Sequence, residues 1–164
     1  MSVKYQRYPE YKDSNNVWIE KIPHHWNYSY LGFECSVKAR LGWKGLKADE
    51  YVDEGYVFLA TPNIKSDKID FKNVDRITRK RYDESPEIML VEGDVLVTKD
   101  GSTTGTTNIV RHLPEPATVN SSIAVLRSFG SVESPYLYYF FTSDYTQNII
   151  NRFLTLNMPA QYIP

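Results

Sequence analysis

Large residues alternate with small polar ones along Trp26-Asn27-Tyr28-Ser29-Tyr30-Leu31, and this two-residue period predicts a half-buried strand. The same reading predicts a strand over Gly55 to Ala60, closed by Thr61-Pro62-Asn63 because the residue before a proline is pushed to extended geometry. Ile69, Phe71, Val74 and Ile77 predict another strand with one register slip, and further strands fall at Val95 to Thr98, Thr107 to Arg111 and Ser122 to Leu126. Residues 1 to 23 are polar and broken by Pro9 and Pro23, so they are expected to form an irregular extended arm packed on a single domain over residues 24 to 164. A short helix or turn is expected over Gly32 to Val37, one helical turn within residues 38 to 50, and a short helix starting at Thr78 or Asp83. The last element is one long helix from Ser134-Pro135, a capping serine with proline at the first helical position, to about Leu154. Its Leu137, Phe140, Phe141, Tyr145, Ile149, Phe153 and Leu154 recur at helical spacing. Together these elements predict an α/β (α+β) domain with a twisted, mixed but largely antiparallel sheet, short helices and one long C-terminal helix.

One interval breaks the alternation abruptly. Val95, Leu96 and Val97 run into Thr98-Lys99-Asp100-Gly101-Ser102-Thr103-Thr104-Gly105, after which Ile109 and Val110 resume an apolar strand. A strand thus presents a polar fingertip, the arrangement in which a fixed scaffold carries recognition groups.

Length changes the picture little: 164 residues make about one domain, able to bury roughly two thirds of its unfolded surface. The single cysteine, Cys35, excludes an internal disulfide and reads as buried structure, and with no signal-like segment the expected setting is the reducing cytoplasm. No apolar run approaches the roughly 20 residues a membrane helix needs, so no membrane partner is expected. Net charge is formally −1, yet cations are segregated: Lys38, Arg40, Lys44 and Lys47 in one segment, and Lys65, Lys68, Lys72, Arg76, Arg79, Lys80 and Arg81 in another. If these share a face, the surface favours a polyanion through its local field; the alternative is solvated loops of balanced charge.

Catalytic equipment is sparse. His24, His25 and His112 lack metal-site spacing, Cys35 has no histidine partner, and Ser102 lacks the Gly-x-Ser-x-Gly elbow of a hydrolase. Gly101 to Gly105 lacks the Gly-Lys-Ser/Thr ending of a nucleotide loop, and strand rather than helix follows it. No catalytic residue, metal or cofactor is therefore assigned.

Several stretches, taken in order, resemble one family. Tyr11-Lys12-Asp13-Ser14, then Val17-Trp18-Ile19-Glu20-Lys21-Ile22-Pro23-His24-His25-Trp26, then Gly42 to Tyr51, Glu92-Gly93-Asp94-Val95-Leu96-Val97-Thr98-Lys99-Asp100-Gly101-Ser102, Asn120, and Pro135-Tyr136-Leu137-Tyr138-Tyr139 are similar to specificity subunits of type I restriction-modification systems. The resemblance implies a target recognition domain, the first of two in such subunits, with the spacer helix and second domain absent. It implies a non-catalytic partner for double-stranded DNA and for modification (methyltransferase) and restriction subunits, with a second half-subunit as a further partner. Readout of base edges needs Arg, Lys, Asn, Gln, Ser or Thr, and phosphate contacts set register. Base readout is assigned to Lys99, Asp100, Ser102, Thr103 and Thr104 and to Arg40, Trp43, Lys44 and Lys47. Phosphate contacts are assigned to Lys65, Lys68, Arg79, Lys80 and Arg81, with Thr61 and Asn63 between the two roles. Gly93, Asp94 and Gly101 are read as turn geometry and Asn120 as an internal loop tie. A methyltransferase-docking module using the C-terminal helix, and more weakly a free-standing nuclease, are the rival readings.

Overall fold

Two apolar faces on the central strands determine how the chain layers. The computed structural model describes residues 7–16, 19–41 and 46–156, with backbone alone at Asn16, Ala48 and residues 152–156. It divides after Tyr30 into two units.

In the first unit, β1 (Tyr11–Asn16) pairs antiparallel with β2 (Ile19–Pro23), in the register Tyr11 to Pro23 and Lys12 to Ile22. The segment expected to be irregular is thus a hairpin. Pro23 sits at the last position of its strand, where its missing N–H is tolerated, and Asn15 takes the left-handed φ of 50° near the turn. The strand expected over Trp26 to Leu31 does not form. The Trp26 N–H bonds the Pro23 carbonyl in a turn at 2.9 Å, and Tyr28 and Tyr30 are exposed. Alternation marks a strand only where a neighbouring strand and a core exist to receive it.

The second unit opens with α1 (Leu31–Glu34) and β3 (Cys35–Ala39), a strand where the sequence pattern predicts a short helix or turn and then a loop. A four-stranded antiparallel sheet runs in the order β3, β9 (Ile123–Ser128), β6 (Val95–Thr98), β7 (Thr107–Ile109). A three-stranded sheet runs β5 (Asp75–Ile77), β4 (Tyr51–Leu59), β8 (Ala117–Val119), with β4 and β8 parallel. The period of two sends Leu96, Ile123 and Val125 toward Val57, Leu59, Ala117 and Val119, where the two sheets share a core. On the other face, Val95, Val97, Ile109 and Leu126 pack with Cys35 and Leu137. Burial pushes the Cys35 thiol pKa up, with Glu34 adding to the effect, so the thiol is structural.

The mixed, largely antiparallel fold class holds, and two local expectations change. The expected strand from Ile69 shrinks to β5, because Asp70 organises a turn by accepting from the Lys72 and Asn73 N–H groups at 3.0 and 3.3 Å and from the Asn73 side chain at 3.0 Å. The expected long helix is two, α3 (Ser134–Thr142) and α4 (Asp144–Leu156). Ser143 breaks it: its backbone is extended, and its Oγ donates to the Phe140 carbonyl at 2.7 Å while accepting from the Thr146 N–H at 3.3 Å. The N-cap of α3 is Glu133, not Ser134, and makes no side-chain cap bond.

Candidate nucleic-acid interface

The fingertip is a hairpin tip between β6 and β7. Thr98 N–H bonds the Thr106 carbonyl at 2.9 Å, and Gly105 N–H bonds the Thr98 carbonyl at 2.8 Å. Inside it the Thr98 hydroxyl donates to the Thr103 carbonyl, and the Thr104 hydroxyl donates to the Gly101 carbonyl at 2.7 Å. Gly101 and Gly105 take φ of +87° and +91°, conformations that ordinary side chains disfavour. The tip is also fixed from outside: the Gln147 amide of α4 donates to the Gly105 carbonyl at 3.0 Å and to the Phe141 carbonyl at 2.7 Å. Ser102 and Thr103 are exposed, Thr104 is half-buried, and Lys99 pairs with Asp100 at 3.0 Å on the surface.

Three turns meet at this end of the sheets. Asn120 N–H bonds the carbonyl of Leu59 at 2.9 Å, which sets the β8–β9 turn beside the segment starting at Thr61. Lys99 N–H bonds the Ser122 carbonyl at 2.8 Å, which sets the fingertip beside the same turn. Asn120 accepts from the Ser122 N–H at 3.0 Å, the loop tie expected of it. Gly93 takes a φ of +92°, and Asp94 is fully buried, accepting from the Val91 N–H and pairing with Arg127 at 2.7 Å, so both belong to turn geometry as expected.

Other assigned residues are placed differently. Arg40 is 2% exposed and lies over the Phe58 ring. Its guanidinium donates to the Val119 carbonyl, Ser85 Oγ and Thr118 Oγ1 at 3.2 to 3.4 Å, joining the end of β3 to β8 of the other sheet. The base-reading assignment to Arg40 is therefore corrected: a side chain fully enclosed between sheets has no face for a base edge. Asn63 is corrected for the same reason. It is 7% exposed, accepts from the Ala60 N–H at 2.8 Å and donates to the Asn73 carbonyl at 2.6 Å, closing its own turn. Trp43 and Lys44 lie outside the described residues.

Among the described residues, the two basic segments do not form one continuous cationic face. Thr61, Lys65 and Lys68 follow the Leu59 end of β4, whereas the short helix α2 (Arg79–Asp83), capped by Thr78 as expected, leaves the opposite end of the β4–β5 pair. Glu50 links Lys47 to that second group, accepting from the Lys47 N–H at 2.9 Å and pairing with Arg81 at 3.1 Å. Acids neutralise much of the charge: Arg79 pairs with Asp83 at 3.4 Å, Arg81 also with Glu84, and Lys65 with Asp70 at 3.2 Å. The Asp70 carboxyl is held well below the usual carboxylate range by the Asn73 amide, the Lys72 and Asn73 N–H groups and Lys65. Among the described residues, Lys47, Lys68 and Lys80 of the assigned set form no ion pair.

Sequence reasoning overlooked one feature. A cleft of about 300 Å³ opens between Asp67, Lys68, Ile69 and Phe71 on one side and Asn108, Ile109, Arg111, His112 and Pro114 on the other. Arg111 follows an apolar strand end, Ile109-Val110, much as Arg40 follows β3, and nothing in sequence separates the two cases. His112 is paired with Glu92 at 3.2 Å, and the Glu92 carboxyl is held low by the Leu113 N–H and then by His112. Among the described residues no cluster of three or more His, Cys, Asp or Glu could hold a metal, and no helix is long and apolar enough to cross a membrane.

No family model and no curated protein matches the chain. Solved structures do. A specificity (HsdS) subunit from Thermoanaerobacter tengcongensis matches at TM-score 0.61 and 17% identity, over 85% of this chain and 31% of that one. A chain from a structure of a type I R-M system, studied for complex assembly and conformational transition, matches at 0.57 and 20%, over 73% and 28%. The S subunit of the type I restriction-modification system of M. genitalium matches at 0.50 and 15%, over 77% and 28%. The chain thus spans about a third of the length of these proteins or slightly less. Its fold, two sheets carrying a polar hairpin tip with helices following, is a fold found within the specificity subunits of type I restriction-modification systems.

Proposed function

We propose that this chain is a DNA-recognition domain of a type I specificity subunit, binding a specific double-stranded sequence and directing partner methyltransferase and restriction subunits to it. The likeness to the Thermoanaerobacter subunit over 85% of the chain carries this reading. The gathering of the fingertip, the Thr61 turn and the Asn120 turn at one end supports it. Ser102, Thr103 and Thr104 bring hydroxyls that donate or accept, and the Lys99–Asp100 pair brings one cation and one carboxylate, groups suited to base edges in a major groove. Lys65 and Lys68 supply phosphate contacts beside them, and Lys47, Arg79, Lys80 and Arg81 form a separate cationic group. The domain is non-catalytic in this reading and works in the cytoplasm, with chemistry left to its partners. Selection from a randomised duplex library by the purified chain at low salt tests it. Enrichment of one short sequence is the expected result; no enrichment, or metal-dependent cleavage by the pure chain, overturns it.

A second reading, docking of a methyltransferase subunit without DNA readout, is favoured by Tyr136, Tyr139 and Phe140, which are exposed on α3. Complex formation with a type I modification subunit that is lost in Y136S/Y139S, together with an empty library selection, would select this reading over the first.

A further inference from the structure

We infer that the cleft between residues 67–71 and 108–114 holds one sugar-phosphate unit of a DNA backbone, with Lys68 and Arg111 as its phosphate ligands. This rests on the DNA-binding reading and adds a site to it. The cleft has two chemical zones. Ile69, Phe71, Ile109 and Pro114 give apolar surface, and Lys68 and Arg111 are cations that form no ion pair among the described residues. A deoxyribose phosphate has the matching pair of features, an apolar sugar face and a monoanionic phosphodiester. At about 300 Å³ the cleft is at the small end of ligand pockets, suited to one backbone unit and not to a stacked base pair.

The walls are preorganised. Buried Asn108 donates to the Lys65 carbonyl at 2.6 Å and accepts from its neighbour Ile109 N–H at 2.8 Å and from Arg111 Nη1 at 3.0 Å, so one side chain ties the 65–68 segment to the Arg111 side. The Tyr138 ring lies 5.1 Å from the Arg111 guanidinium carbon. Arg111 is thereby held by a neutral acceptor and an aromatic face, leaving its charge uncancelled and most of its five donors unused. Asp67, a lining residue, opposes the anion, and the His112 ring pairs with Glu92 at 3.2 Å.

Placement agrees with the fingertip. Thr107 starts β7 just after the tip, and Arg111 is four residues farther on, at most about 13 Å at strand spacing. One duplex turn is about 34 Å, so base contacts by the tip and a phosphate in the cleft fall within the same turn.

The test is duplex affinity against KCl concentration for the unmodified chain, K68Q/R111Q and D67N, using the sequence enriched by the library. Removing two phosphate contacts is expected to reduce the log–log salt slope by about two with the preferred sequence unchanged. D67N, which removes the opposing carboxylate, is expected to raise affinity several-fold; this gain cannot come from misfolding. A K68Q/R111Q protein that melts like the parent and keeps the parental slope overturns the cleft assignment while leaving DNA recognition standing. If R111Q fails to fold, K68Q alone must lower the slope by about one and D67N must strengthen binding, and failure of both overturns the assignment. If the unmodified chain binds no duplex, both readings fall. Thymidine monophosphate shifting the Lys68 and Arg111 resonances without duplex binding would mark a free-nucleotide site and overturn the backbone assignment.

Discussion

Arg40 and Arg111 use the same chemistry at opposite exposures. Each follows a strand of the four-stranded sheet, donates to uncharged acceptors, and has its guanidinium carbon within 6 Å of an aromatic centroid: Phe58 at 5.6 Å for Arg40 and Tyr138 at 5.1 Å for Arg111. Arg40 leaves β3 toward the neighbouring sheet and is enclosed, bonding β8 at Val119 and Thr118. Burial pushes its pKa down, with Arg81 adding to the effect. Arg111 follows β7, the edge strand of its sheet among the described residues, and stays exposed. Whether a basic residue serves the fold or a ligand is decided by what lies beyond its strand, not by the density of basic residues around it.

The sharpest way to break this comparison is to truncate both. Arg40→Ala removes a buried stem, opens a cavity and strands the Val119 carbonyl, so about 3 kcal/mol of stability should be lost in urea unfolding. Arg40→Met keeps most of the stem volume and should lose clearly less. Arg111→Ala sacrifices one hydrogen bond and a surface cation–π contact, about 1 kcal/mol or below, with its main effect on DNA affinity. Equal destabilisation by the two alanine variants would show that exposure does not separate them.

A third arginine sharpens the rule. Arg127 is turned toward Asp94, which is fully buried and also caps the turn at the Val91 N–H. Arg127→Met leaves that carboxylate without its cation, and the loss should be about 2 kcal/mol, discounted from the 3 to 5 of a fully enclosed pair because the Arg127 side chain is 39% exposed. Denaturant midpoints of R127M and D94A measured together check this. Gln147→Ala comes next, at about 1 kcal/mol, since it removes two part-buried hydrogen bonds between neutral groups. Its signature is local: amide exchange at Thr106 and Gly105 should quicken while the sheet core keeps its protection.

Much of this was legible in the sequence, and the misses share a cause. The apolar runs at Val95–Thr98 and Ile123–Ser128 announced their strands because each is buried on both faces. The fingertip was legible because its hydroxyl and glycine content has no place in a core. Strands β3 and β8 were not, since Cys-Ser-Val-Lys-Ala and Ala-Thr-Val carry little apolar mass and owe their state to pairing with β9 and β4. The helix break at Ser143 was hidden because the apolar positions keep helical spacing across it. Arg40 and Asn63 were legible as polar residues and misread as free ones, because their partners Val119 and Asn73 lie 79 and 10 residues away in sequence.

The smallest expected effect separates occupied from unoccupied cations. Asp70 holds Lys65 and its own turn, and its carboxyl pKa is lower in the folded chain than in the unfolded one. Such a group stabilises the fold above the unfolded value, near 4, and its contribution disappears as pH falls toward the depressed folded value. The stability gap between the parent and D70N should therefore be constant above about pH 5 and shrink steadily below about pH 4, as read by thermal melts across that range. At neutral pH the same variant releases Lys65 from its acid. If Lys65 then meets phosphate as Lys68 is proposed to do, D70N should bind duplex DNA more tightly than the parent at low salt and lose that advantage at high salt. A D70N protein with unchanged affinity at every salt concentration would mean that the Lys65 ammonium lies off the DNA path, which would leave Lys68 as the contact nearest the fingertip.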